Sequence, residues 1–165
     1  MDLPEPVDIT TLPETPLESS HLNHHDFPWV DQGWGIEFKI LRVCNETGGW
    51  IIMNRFPPGT QLPKHRHSGA VTALTLQGKW GYLESNFTAV AGSVIREPAN
   101  SAHTLKVADD AGEPTIVFFT IDGSLTHFTD DGTIWGISDG QTQLAEYLRL
   151  AEEQGTPVDA SKLLA

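Results

Sequence analysis

Gly59-Thr60-Gln61-Leu62-Pro63-Lys64-His65-Arg66-His67 and, further along, Gly92-Ser93-Val94-Ile95-Arg96-Glu97-Pro98-Ala99-Asn100-Ser101-Ala102-His103 are the two stretches on which the reading of this chain turns. In the first, a turn enters a strand, and side chains that alternate with period two put the imidazoles of His65 and His67 on one face. Two strand positions two residues apart are separated by roughly 7 Å. Both rings can then lean onto one ion with bonds of about 2.0–2.1 Å. Taken alone, His-x-His equally describes ordinary surface histidines. The second stretch adds a strand, a proline-containing turn and His103, and so supplies a third nitrogen.

Outward from these stretches the chain reads as short strands. Ile36, Phe38 and Ile40 alternate with Glu37, Lys39 and Leu41, the pattern of a strand with one buried face. Further strand-like runs fall around 49–56, 60–67, 70–76, 79–84, 88–95, 103–108, 115–121, 124–129 and 132–136. Turn signals separate them at Gly48-Gly49, Pro57-Pro58-Gly59, Gly78, Ala91-Gly92, Asp110-Ala111-Gly112 and Asp131-Gly132, the last suited to a tight hairpin. Such a series closes most economically as a sandwich or barrel, because closure removes exposed edges.

The two ends break the habit. Leu144, Tyr147, Leu148 and Ala151 fall at i, i+3, i+4 and i+7 behind a cap at Ser138 or Asp139. They predict one amphipathic helix over 140–154, ended by Gly155 and Pro157. Pro4, Pro6, Pro13, Pro16 and Pro28 exclude helix and central strand at the start, where an extended arm anchored by Phe27, Trp29 and Trp34 is expected. The expected organisation is an N-terminal arm over 1–33, an all-β barrel over 34–136, and a C-terminal helix and tail over 137–165 packing on the barrel.

A chain of 165 residues with 39% hydrophobic and 19% charged residues suits one soluble globular domain. The lone Cys44 cannot form an internal disulfide, and no secretory leader or membrane-length apolar run is visible, so a cytoplasmic location is expected. A formal net charge of −12 argues against nucleic acid and anionic membrane surfaces as partners. The charge is uneven: between Lys39 and Lys106 eight bases face only three acids, Glu46, Glu84 and Glu97, which makes an anionic ligand plausible there. Chance clustering of solvated charge is the competing explanation.

The two stretches together resemble the cupin superfamily. Gly59, His65, His67 and Gly78 match the first motif of that family, and Gly92, Pro98 and His103 match the second, over about residues 50–122. The resemblance implies a double-stranded β-helix, or jelly-roll barrel, with a metal ion on His65, His67 and His103. Two departures bear on the chemistry. The family usually carries a glutamate beyond a gap of three or four residues after the second histidine, where this chain has Val71 and Thr72. Asn100 stands for a common glycine, which asparagine replaces because it tolerates positive φ, and Val107 for a polar residue.

The missing glutamate resembles the three-histidine subgroup, the acetylacetone-cleaving and the 2,4'-dihydroxyacetophenone dioxygenases. Three neutral imidazoles leave a divalent ion its full charge and up to three open positions, enough for a bidentate enolate and dioxygen. The resemblance therefore implies an Fe(II)-dependent dioxygenase that cleaves a carbon–carbon bond in a small β-diketone or aryl hydroxyketone. Zn, Ni, Cu or Co would fit the same ligands. Glu97 matches a glutamate beside the metal in the acetylacetone-cleaving enzymes, where it would orient a ligand histidine or take the substrate's proton. The competing reading of Glu97 is a strand-end surface acid paired with Arg96 or Arg66. Gln61 and Thr104 are further candidates to reach the cavity, and Phe56, Trp80, Tyr82, Phe118, Phe119 and Phe128 are candidate walls, although aromatic residues on barrel strands usually serve packing.

His21, His24 and His25 read as solvated arm residues, and His127 as a late-strand residue able to face the barrel and donate a hydrogen bond. Some anti-sigma factors carry a similar zinc barrel, so a non-catalytic metal-binding sensor or regulatory module is the alternative function. A cupin isomerase or sugar-binding barrel ranks below both. The arm and barrel together suit a homodimer or tetramer, since such arms often pair across a two-fold axis.

Overall fold

Thirteen strands and one helix build residues 19–164, the part of the chain that this computed structural model describes. In chain order they are β1 (Val30–Asp31), β2 (Glu37–Val43), β3 (Gly49–Phe56), β4 (His65–His67), β5 (Val71–Gln77), β6 (Lys79–Tyr82), β7 (Ala89–Val90), β8 (Val94–Glu97), β9 (Ala102–His103), β10 (Leu105–Val107), β11 (Thr115–Asp122), β12 (Leu125–Phe128), β13 (Ile134–Ser138) and α1 (Gly140–Glu153). Pro4, Pro6, Pro13 and Pro16 of the expected arm lie outside the described residues.

One sheet has the order β1-β2-β3-β11-β5-β8, and it faces a four-stranded sheet β13-β12-β4-β9 and a three-stranded sheet β10-β6-β7. All pairings between these strands are antiparallel. This is the all-β jelly roll that the resemblance implies. Period-two patterning makes each inner face: in β5, Val71, Ala73 and Thr75 are buried while Thr72, Leu74 and Leu76 face out. Phe38, Ile40, Ile52, Phe56, Val117, Phe119, Trp80 and Leu105 complete a core from all the main strands. Full burial of each large apolar side chain contributes about 1.5–3 kcal/mol.

Three expected strands divide. The run at 60–67 keeps strand pairing only at His65–His67, because Pro63 has no N–H to give a ladder, and Gln61 makes an isolated bridge with Lys106. The run at 88–95 splits around Gly92, whose φ of +87° turns the chain. The run at 103–108 breaks at Thr104, so that His103 pairs with β4 while Leu105–Val107 pairs with β6. That corner hands the chain from one sheet to the next just after the third histidine.

On the outer face, the segment from Leu22 to Trp29 covers β2. Lys39 is only 2% exposed beneath a short 3-10 turn, His24–Asp26, and its ammonium donates to the carbonyls of His24 and Phe27 at 2.9 Å each. Burial, helped by Arg55, pushes Lys39 down to about 8. The Trp29 ring lies 4.4 Å from this ammonium and 4.8 Å from the Arg55 guanidinium. Phe27 is buried, whereas Trp34, also expected as an anchor, is 93% exposed. The reason is local: Gly33, Trp34 and Gly35 all have positive φ, at 112°, 54° and 71°, and this turn tips the indole off the arm towards the mouth of the barrel cavity.

The helix begins with Asp139, whose carboxylate accepts from Thr142 N while the Thr142 hydroxyl engages the cap N–H. Leu144, Tyr147 and Ala151 are buried against the barrel, and the Tyr147 hydroxyl donates to the Pro28 carbonyl at 2.8 Å. Among the described residues no helix is long and apolar enough to cross a membrane.

Candidate metal centre

Strand β4 lies between β12 and β9, with His65 opposite His127 on one side and His103 on the other. Directly paired residues share a face, so His127, His65 and His103 form a row across the inner wall. His67 sits two positions along the same face, opposite Leu125. The Pro98–Ser101 turn fastens the row, since Asn100 N donates to His67 O at 2.8 Å and His67 N donates to Ser101 O at 3.1 Å. Asn100 does this at φ +66°, the positive φ expected at that position.

His65, His67 and His103 are buried, and one ring nitrogen from each lies within 4.8 Å of the others. The His65 ring stands nearly perpendicular to both neighbours, at 82° to His67 and 89° to His103, so ring edges and not faces converge. His65 Nδ1–H donates to the Pro63 carbonyl at 3.1 Å, which leaves the Nε2 lone pair free. Burial pushes His65 down to about 4, against the pull of the Pro63 carbonyl, so the ring is neutral at physiological pH. A neutral imidazole is the form that binds a metal.

Glu97 is directly opposite Val71 in the β5–β8 pair, and is 3% exposed on the inner face. A carboxylate thus returns from the adjacent strand to the neighbourhood that the family's usual glutamate would fill. Its Oε2 is 3.0 Å from His67 Nε2 and 3.2 Å from His103 Nε2, and its Oε1 accepts from the Tyr82 hydroxyl. Tyr82 stacks on His103 with ring centroids 3.9 Å apart and planes at 22°. Burial pushes the Glu97 carboxyl up, but the adjacent His103 and His67 imidazoles and the bond from Tyr82 outweigh it and hold the group well below the ordinary carboxylate range. The surface-acid reading is therefore corrected: the alternation of β8 sends Arg96 outward and Glu97 inward.

These residues fit a bound cation. His67 Nδ1, His103 Nε2 and Glu97 Oε2 are enclosed with no well-aligned hydrogen-bond partner, although the oxygen is close to two imidazoles. Enclosed polar atoms without partners are costly, and an ion gives nitrogen lone pairs a partner that these neighbours do not. The group of potential ligands that meets at one point is the three histidines, with Glu97 flanking it on the side of His67 and His103.

His65, His67 and Glu97 line a cavity of ≈ 360 Å³, within the size of about 300–1,000 Å³ that suits small organic ligands. Of the expected walls, Phe56, Tyr82 and Phe119 line it, as does Gln61. Trp80 is core, its Nε1–H donating to Thr75 Oγ1 at 2.9 Å; Phe118 faces the outer groove with Leu41, Met53 and Leu76; Phe128 lies beneath Arg66. Thr104 does not reach the cavity, because its N–H and hydroxyl both donate to the Glu84 carboxylate, at 2.8 and 2.9 Å.

Trp50 and Asn54 are lining residues that alternation with Phe56 along β3 would have exposed, whereas Trp34 and Trp135 depend on a turn and a bulged pairing with no comparable signal. Among the described residues no Lys or Arg lines the cavity, so the basic character of the middle segment is spent on the outer surface. His24 and His25 contact each other outside the barrel, in the 3-10 turn.

No curated protein sequence matches the chain. Among solved structures, an RmlC-like cupin protein from Ralstonia eutropha is 29% identical, with a TM-score of 0.79 over 86% of this chain and 93% of that one. An acetylacetone dioxygenase from Acinetobacter johnsonii is 18% identical, with a TM-score of 0.69 over 91% of this chain and 99% of that one. The anti-sigma ChrR complex with SigE from Rhodobacter sphaeroides gives 23% identity and a TM-score of 0.51, covering 61% of this chain and 52% of that one. The ChrR cupin-like domain family matches residues 18–126, and the chain belongs to that family.

Proposed function

We propose that this protein is a non-haem iron(II) dioxygenase that cleaves a carbon–carbon bond in a small β-diketone or aryl hydroxyketone held as a bidentate enolate. The observation that carries the reading is the meeting of His65, His67 and His103 beside an aromatic-walled cavity that His65, His67 and the buried carboxylate of Glu97 line. In this reading the three histidines hold the ion, which supplies Lewis acidity and open positions for two substrate oxygens and dioxygen. Glu97 is the carboxylate nearest to them, and in this reading it receives the proton that the substrate loses on enolisation. Tyr82 holds Glu97 through its hydroxyl and His103 through its ring. Trp50, Phe56 and Phe119 exclude water and position a flat substrate. The apolar outer residues Leu74, Leu76 and Val94 support association of two copies.

The second reading is a metal-binding regulatory module, favoured by the ChrR cupin-like family match. Oxygen uptake separates the two. Protein reconstituted with iron(II) is expected to consume oxygen with at least one member of a panel of β-diketones and hydroxyacetophenones. Tight zinc with no uptake across the panel would favour the regulatory module.

A further inference from the structure

The inner face of β3 gives the cavity four residues: Trp50, Ile52 and Phe56, which are apolar in character, and Asn54. The register partners of Asn54, Phe38 on β2 and Val117 on β11, share that face and are fully buried. The cavity residues of β11, Phe119 and Ile121, are apolar as well. The side chains of β3 that hydrogen-bond are Trp50, which donates to Gly123 O at 3.0 Å, and Arg55, which pairs with Glu37. Among the described residues the Asn54 carboxamide has no protein partner. Asn54 is partly buried, whereas Gln32 and Gln61, which line the same cavity, are exposed and open to solvent.

We propose that Asn54 is a specificity-determining residue that pairs through its carboxamide with a neutral amide group of the ligand. The inference deepens the reading above: it rests on that reading for the cavity as the place of the substrate, and not for the oxygen chemistry. A carboxamide presents a donor and an acceptor side by side. A primary or secondary amide uses both at once, whereas a ketone can only accept. An ionised carboxylate would meet no Lys or Arg on the wall and would share the cavity with Glu97.

An apolar wall is a costly place for an amide without a partner. Leucine is close to asparagine in size, and at this position it would continue the pattern of Ile52 and Phe56. Asparagine therefore lowers the stability of the free protein, a loss offset when a ligand pairs with it, as is common where stability and function compete. In the dioxygenase reading the substrate is then an enolisable ketone that also carries an amide N–H.

The test uses the full chain loaded with zinc, which takes histidine ligands without redox chemistry. Two probes of matched shape, benzamide and acetophenone, are titrated by calorimetry. Benzamide, in which an amino group replaces the methyl group of acetophenone, is expected to bind roughly three- to tenfold more tightly, the range of one added neutral hydrogen bond. Asn54→Leu and the smaller Asn54→Ala should each remove the preference with metal content unchanged, whereas a preference generated at the ion would survive both. Asn54→Leu should also raise the urea midpoint at unchanged slope. Equal wild-type affinity for the two probes, no binding of either, a preference that survives both substitutions, or a lowered midpoint in Asn54→Leu would each overturn the proposal. A preference that depends on Asn54, without iron-dependent oxygen uptake, supports the amide contact and removes the dioxygenase reading. Uptake with the ketone panel and no amide preference keeps that reading and removes the contact.

Discussion

Glu97 is a carboxyl group 3% exposed on an inner face. Burial raises its pKa, and the His103 and His67 imidazoles and the Tyr82 hydroxyl beside it lower it by more. Replacing it by glutamine keeps the shape and a hydrogen-bonding oxygen but removes the charge and the proton acceptor. Glu97→Gln is therefore expected to keep its metal and to turn over about 100-fold or more slowly, in line with the usual contribution of a positioned acid or base. Steady-state oxygen consumption beside metal analysis checks this, and an unchanged rate would reduce Glu97 to a structural partner of Tyr82. The histidines were legible in the sequence because alternation alone puts His65 and His67 on one face. Glu97 was legible only as a choice between two readings, since the inward turn of a strand end depends on its partner Val71, far away in sequence.

At the scale of elements, close approaches decide what a local pattern leaves open. Gly78 links β5 to β6 at φ +85°, and a Cβ there would stand 2.5 Å from the Thr115 Cα and 2.2 Å from its Oγ1. Gly78→Ala combines that backbone clash with a left-handed conformation costing about 1–2 kcal/mol in an L-residue. It should lower stability by more than that cost alone, read as a shift in the urea midpoint at unchanged slope. A loss below about 0.5 kcal/mol, the usual range for surface substitutions, would mean that the β6–β11 junction yields more than its packing suggests.

Helix α1 was legible nearly to the residue, because its cap and its buried stripe are both local signals. The breaks at Gly92 and Thr104 were not. Each is set by a partner distant in sequence: Gly92 N donates to Thr75 O at 2.8 Å, and Thr104 is captured by Glu84. Trp34 leaves the arm for the same kind of reason, since residue type announces an apolar group but not the side to which a turn will send it.

Across the whole molecule, the site is assembled from β4 and β9 of one sheet, β8 of another and β6 of a third, so no single segment contains it. The sequence carries the jelly roll as a rhythm of short strands and turns, and the candidate centre as a histidine pattern that the fold brings together. The cavity walls were only half legible, because strand alternation identifies an inner face without saying whether that face meets core or open space. Trp80 and Phe119 illustrate the difference: both are buried with ring centroids 6.0 Å apart, yet only Phe119 borders the cavity.

Metal stoichiometry in single alanine variants tests most directly whether the three imidazoles share one ion. Wild-type protein and His127→Ala should each bind one divalent ion per chain, whereas His65→Ala, His67→Ala and His103→Ala should lose most of it while keeping the β-sheet circular dichroism of the parent. A folded His103→Ala variant with the full wild-type complement of metal would contradict a site shared by all three.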